Sequence, residues 1–195
     1  MSQLKIYSAM ECIEITKQIW TIESFLSPEF CDDLIQKSEN LGYQEATVSL
    51  PEGGKMMKGL RDNYRVNLED KEFSDKLFQS LKPDLPVVDS LSTPVALSEK
   101  IRFYRYDENQ RFKRHIDGRV RYAVLESRLT FMVYLNDDYQ GGETKFDDAL
   151  IRPLKGMALL FIHEQKHESL PIEAGKKYVL RSDVFYELPA NGGLT

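Results

Sequence analysis

The chain has 195 residues, 42% of them hydrophobic and 29% charged, with 10 Phe, 10 Tyr and one Trp. That composition supports a sizeable buried core and excludes disordered and collagen-like classes, and the length suits one domain rather than two. Lys plus Arg number 26 against 31 Asp plus Glu, a net charge of −5, so no nucleic-acid partner relying on a broad basic field is expected.

No apolar run approaches the roughly 18 to 20 residues that cross a bilayer, so no membrane association is expected. The first 20 residues alternate polar and apolar without the apolar block of a signal peptide, and the expected location is cytoplasmic. Cys12 and Cys31 sit in no CxxC or Cys/His spacing and read as core thiols.

In chain order, the first clear element is a helix. Ser27-Pro28-Glu29 supplies a hydroxyl cap, a proline where its missing N–H costs nothing, and an acid at the positive helix end. Phe30, Cys31, Leu34 and Ile35 follow at helical spacing, and Gly42 is the stop. A second helix is expected over about 70–81, with Phe73, Leu77 and Leu81 four apart and Pro83 beyond. Both read as supports for a sheet. Between them Pro51-Glu52-Gly53-Gly54 breaks the chain.

From Leu97 onward the period becomes two. Ile101, Phe103 and Arg105 alternate with Arg102, Tyr104 and Tyr106. Residues 129–135, 157–162 and 178–186 are further strand-like runs, separated by turn-formers such as Asp117-Gly118, Gly141-Gly142, Lys155-Gly156 and Ala174-Gly175. Short strands without intervening helices indicate a sandwich or barrel. The expected class is α+β, mainly β: N-terminal strands and supporting helices over 1–96, then a β core over 97–187.

The three histidines, His115, His163 and His167, all fall in the strand-rich part. His115-Ile116-Asp117 puts an imidazole and a carboxylate two residues apart, on one face of an extended backbone and within reach of one metal. A histidine from a distant strand, here His167, completes the two-histidine, one-carboxylate set that leaves positions open on non-haem iron(II).

HxD alone is a weak signal, but its surroundings form an ordered series. Tyr106, Gln110 and Phe112 precede it. Thr130 to Asn136, Gly141-Gly142-Glu143-Thr144, and Pro153 to Phe161 follow. His167-Glu-Ser-Leu-Pro171 to Gly175-Lys-Lys177-Tyr178 closes it. This series resembles the prolyl 4-hydroxylase-like branch of the iron(II)- and 2-oxoglutarate-dependent dioxygenases over roughly 97–187, and residues 20–48 resemble that branch's supporting helix.

The resemblance implies a double-stranded β-helix, or jelly roll, with the metal at one mouth. It implies Fe(2+), 2-oxoglutarate as cosubstrate, O2, and ascorbate as a reductant, in an oxidoreductase that hydroxylates an unactivated C–H bond of a peptide or small-molecule substrate and releases succinate and CO2. Lys177 matches the family's basic position for the distal carboxylate of 2-oxoglutarate. Arg181 shares the strand face of Lys177 and competes for that role. Tyr134 matches a tyrosine that donates to the same carboxylate, Thr130 lies on the same face, and Tyr106 matches another pocket tyrosine. Retention of Asp117 favours hydroxylation over halogenation, because the related halogenases carry a small residue there.

Two further readings remain at this level. A module on the same fold could bind metal and 2-oxoglutarate as a sensor without turnover. His163-Glu164-Gln165-Lys166-His167 also matches HExxH, the zinc-peptidase motif, which requires a helix; the preceding strand-like run and Pro171 argue against one, leaving His163 near the site or structural. Arg111, Lys113, Arg114, Arg119 and Arg121 flank the HxD, either attracting an anionic or peptide substrate or forming a solvated strand face. The stretch from Leu50 to Asn63, with Met56 and Met57 among glycines, reads as a lid, and Asn63 and Arg65 as residues on the substrate side.

Overall fold

The computed structural model describes residues 11–46, 48–50, 53–55, 61–89 and 92–188. Helix α1, Pro28–Leu41, begins as its sequence dictates: Ser27 Oγ accepts from the Phe30 N–H at 3.2 Å, and Gly42 ends it at φ +83°. Such a cap is worth about 1 kcal/mol. Helix α2, Lys71–Leu81, is capped by Asp70, whose carboxylate accepts from the Phe73 N–H at 3.0 Å. Ser74 Oγ donates to the carbonyls of Leu97 and Ser98, tying α2 to the neighbouring strand end.

The strands form two principal sheets. In the larger, the hydrogen-bonded order is Cys12–Thr16, Ile19–Ile22, Ala158–Ile162, Leu125–Tyr134, Lys177–Glu187, Lys100–Tyr106, Tyr64–Glu69 and Gln44–Glu45. The smaller runs Leu150–Ile151, Thr144–Lys145, His167–Ser169 and Phe112–His115. The four strand runs read from the sequence are all present, two of them longer than expected: Leu125–Tyr134 extends four residues further back, across a register shift between Ser127 and Leu129.

Alternation along the large sheet separates two cores. Ile101, Phe103, Leu129, Phe131, Val133, Leu160 and Leu180 pack with Phe30, Leu34, Leu77 and Leu81 of the two helices. Tyr104, Tyr106, Met132, Tyr134, Phe161 and Val179 turn the other way and meet Phe146, Ile151 and Ile172 of the smaller sheets. A side-chain period of two thus gives each strand one helix-facing and one cavity-facing row. The result is the jelly roll, with helices on one outer face.

Cys31 is fully buried and Cys12 half-buried; both are free thiols. Among the described residues no helix is long and apolar enough to cross a membrane. Half of the expected lid, including Met56, Met57 and Gly59, lies outside the described residues; at its start Val48–Leu50 and Gly53–Lys55 pair as an antiparallel hairpin.

Candidate active site

Between the sheets lies a cavity of about 350 Å³, with the smaller sheet supplying the two histidines. His115 and His167 are direct partners in antiparallel register. Asp117 lies two residues past the end of the His115 strand, where its N–H donates to the His163 carbonyl at 3.1 Å, so the loop is pinned across to the next sheet. One ligand atom from each of His115, Asp117 and His167 falls within 4.8 Å of the others.

The donor chemistry fits a metal. His115 Nδ1 donates to the Lys113 carbonyl at 2.8 Å and His167 Nδ1 to the Gln165 carbonyl at 3.0 Å. Those bonds fix the tautomers and leave both Nε2 lone pairs free, each 3.8 Å from an Asp117 oxygen. Burial, with His167 adjacent, pulls His115 down to about 4 against the opposing pull of Asp117. Burial also lowers His167, so both rings are neutral near pH 7. Burial would push Asp117 up, but Arg181, His167 and a hydrogen bond from Thr130 outweigh it and hold the carboxyl well below the usual range. Two neutral imidazoles and one carboxylate are the set that suits iron(II).

Thr130, expected beside the cosubstrate, is in contact with Asp117. Its hydroxyl donates to Asp117 Oδ2 at 2.6 Å, which obliges His163 Nδ1, 3.0 Å away, to donate to it. His163 Nε2 then accepts from Ser127 Oγ at 3.1 Å, and Ser127 Oγ accepts from the Val120 N–H. This chain runs Ser127, His163, Thr130, Asp117 and orients the carboxylate from behind. His163 is fully buried and spent on it. Residues 163–166 form a turn between two strands, so the helix that HExxH needs is absent.

Lys177 is 1% exposed and lines the cavity. Its ammonium donates to the Gly142 carbonyl and to Ser169 Oγ, and lies 5.5 and 5.3 Å from the Tyr106 and Tyr134 ring centroids. Burial draws it down to about 7, with only Glu143 opposing. Arg181 is differently placed: its guanidinium is 3.0 Å from both Asp117 and Asp183. Among the described residues Lys177 has no carboxylate partner, whereas Arg181 has two. Tyr106 lines the cavity, while the Tyr134 hydroxyl is 2.6 Å from Thr144 Oγ1 and shares a hydrogen bond with it. Gly142 favours glycine: at φ +71° any side chain is strained, and a Cβ would press on Ile172 Cδ1 and lie 3.3 Å from the Lys177 chain.

The flanking cations are largely neutralised. Arg111 pairs with Glu168, Arg114 with Asp147, Arg119 with Glu126 and Glu164, and Arg121 with Glu126. Arg65 lines the cavity as expected, but Asn63 is fully buried and accepts from Arg61 Nε at 2.6 Å. Sequence reasoning passed over Arg61, Tyr104, Ser127 and Asp183. Inward charge on otherwise apolar strands, as in Arg102-Phe-Tyr104 and Arg181-Ser-Asp183, was the available signal for this wall.

Residues 101–182 match the sequence profile of the 2OG-Fe(II) oxygenase superfamily. The chain is 26% identical to prolyl 4-hydroxylase 1 of Arabidopsis thaliana over 170 aligned positions, which cover 77% of this chain and 59% of that protein. Among solved structures, it resembles the 2OG complex of the viral collagen prolyl hydroxylase of Paramecium Bursaria Chlorella virus-1 (TM-score 0.62, 22% identity, 88% of this chain and 97% of that one). It also resembles a Trichoplax adhaerens prolyl hydroxylase in complex with a hypoxia inducible factor peptide fragment (TM-score 0.66, 19% identity, 87% and 84%). Residues 101–182 thus resemble the 2OG-Fe(II) oxygenase superfamily, and the chain is similar to its prolyl 4-hydroxylase-like branch.

Proposed function

We propose that the chain is an iron(II)- and 2-oxoglutarate-dependent dioxygenase that hydroxylates an unactivated C–H bond of a peptidyl residue or small molecule. The carrying observation is the convergence of His115, Asp117 and His167 on the cavity that also holds Lys177, a buried cation with no carboxylate partner among the described residues. Iron bound there would supply the oxidising chemistry, with 2-oxoglutarate converted to succinate and CO2 as O2 is consumed.

The chain's own residues hold and orient. His115 and His167 present Nε2 with their tautomers fixed by backbone carbonyls, and Thr130 and Arg181 orient Asp117. Lys177 binds the distal carboxylate of 2-oxoglutarate, because an ammonium buried among tyrosines regains through that anion what it lost from water. Phe112 stacked on His115, with Phe146 and Phe161 packed against His167, keeps bulk water from the ligand rings.

The test is succinate and CO2 release with iron(II), 2-oxoglutarate and O2, with mass spectrometry of peptide and metabolite panels for one added oxygen atom. Release above a His167→Ala control, with a product of that mass, is the expected result. Tight binding of metal and 2-oxoglutarate with no decarboxylation across both panels would favour the sensor reading.

A further inference from the structure

The cavity face of the large sheet carries a second cluster of cations, well separated from Lys177. Arg102 is paired in register with Arg181, and Arg65 with Tyr104. Lys177 and Arg181 are four residues apart on one strand, about 13 Å of backbone at roughly 3.3 Å per residue. The guanidinium groups therefore start from a different stretch of the cavity wall than Lys177.

Among the described residues lining the cavity, cations outnumber carboxylates. Asp117 and Asp183 are the only carboxylates among the described residues lining the cavity. Asp117 belongs to the metal set, and iron(II) and 2-oxoglutarate cancel each other in charge. That leaves Asp183, within 3.0 Å of both Arg102 and Arg181, against at least Arg61, Arg102 and Arg181. Arg61 is 6% exposed, lies 4.5 Å from the Tyr104 and Phe112 ring centroids, and has an Nη2 with no hydrogen-bond partner. The positive field registers on Tyr104: burial should raise its hydroxyl, yet Arg181, Arg61 and Arg102 bring it down to about 8.

We propose that the substrate carries a carboxylate, bound by Arg61 and Arg65 beside the Arg102, Asp183, Arg181 chain, and that this anion sets substrate choice. Resting on the oxygenase reading, it narrows the substrate from any C–H compound to an acidic one. A cavity of about 350 Å³ is at the small end for ligand sites. Alongside 2-oxoglutarate it admits one amino-acid-sized group, whether an acidic residue of a peptide or a free amino acid.

The experiment uses anaerobic full-length protein with iron(II) and saturating 2-oxoglutarate, titrated by ligand-observed NMR with matched probes. N-acetyl, C-amidated aspartate and glutamate are set against asparagine and glutamine, to read a side-chain carboxylate. Free amino acids are set against their amides, to read an α-carboxylate. In at least one series the carboxylate should bind about 10- to 100-fold more tightly than its amide twin. The gap should shrink in Arg65→Gln and close in Arg61→Gln, and it should narrow as salt rises. Arg65, less buried, carries the test if Arg61→Gln does not fold. Equal binding of the twins, no carboxylate binder, or a gap unchanged in a folded Arg65→Gln would overturn the proposal. Succinate release on admitting O2 separates the two readings. Carboxylate-selective binding with no release from any probe counts against the oxygenase and leaves the subsite standing. Release driven equally by amide twins does the reverse.

Discussion

Binding of 2-oxoglutarate should draw a proton onto Lys177. In the folded protein burial holds this lysine at about 7, whereas in the unfolded chain it titrates at about 10.4. The unfolded state therefore binds more protons between those values, and stability contributed by this group rises with pH across that window. A dicarboxylate ligand reverses the preference. The groups facing the ammonium are the Tyr106 and Tyr134 rings, Ser169, the Gly142 carbonyl and, more distantly, Glu143, none of which is a contacting anion. At pH 8 about one tenth of the free sites are protonated, so binding should take up about 0.9 proton, and affinity should fall about eightfold between pH 6.5 and 8. His115, at about 4, stays neutral over that range, and burial also favours the neutral form of His167; saturating metal is checked at each pH. Calorimetry in buffers of different ionisation enthalpy, with metal saturating, measures the uptake. Lys177→Met should abolish it and weaken 2-oxoglutarate about 10- to 100-fold, the effect of losing a charged hydrogen-bonding partner of about 1.5 to 3 kcal/mol. Flat affinity with no uptake in the wild type, or a loss confined to Arg181→Met, would refute the reasoning.

Three further outcomes follow from the geometry. His163→Ala should cost about 2 to 4 kcal/mol by leaving the Ser127 O–H without its acceptor, removing the donor to Thr130 and opening a cavity, lowering the melting temperature while one iron per chain is retained. Gly142→Ala should destabilise by about 1 to 3 kcal/mol, through strain at φ +71° and the clash with Ile172, and should weaken 2-oxoglutarate binding by displacing Lys177, both read by thermal denaturation with and without ligand. Tyr104 should ionise near pH 8 in an ultraviolet titration of the folded protein, and Tyr104→Phe should remove that transition.

The sequence carried much of the fold because its signals were local. Ser27-Pro28 and Asp70 mark helix starts that the backbone uses, and alternation along 101–106 and 129–135 assigns each side chain to the face it occupies. It carried His115, Asp117 and His167 because two of them are neighbours in the chain and histidines are few. What it could not supply was register. Thr130 and Tyr134 share a face, yet Thr130 pairs with Asp183 and Tyr134 with Val179, so one supports Asp117 while the other packs beneath Lys177. The arginine cluster is assembled from three strands, through Arg65, Arg102 and Arg181, and from Arg61 at an isolated bridge, and no spacing in the chain announces such a meeting.

On the proposed function, His115, Asp117 and His167 hold iron and thereby create the site for 2-oxoglutarate. Anaerobic equilibrium dialysis with iron(II) and labelled 2-oxoglutarate tests it most directly, on the wild type and on the alanine variants of those three residues and of His163. One iron and one metal-dependent 2-oxoglutarate per chain are expected, with both lost or severely weakened in the three ligand variants and kept in His163→Ala. Iron retained at wild-type affinity in the ligand variants, or 2-oxoglutarate bound equally without metal, would contradict the account.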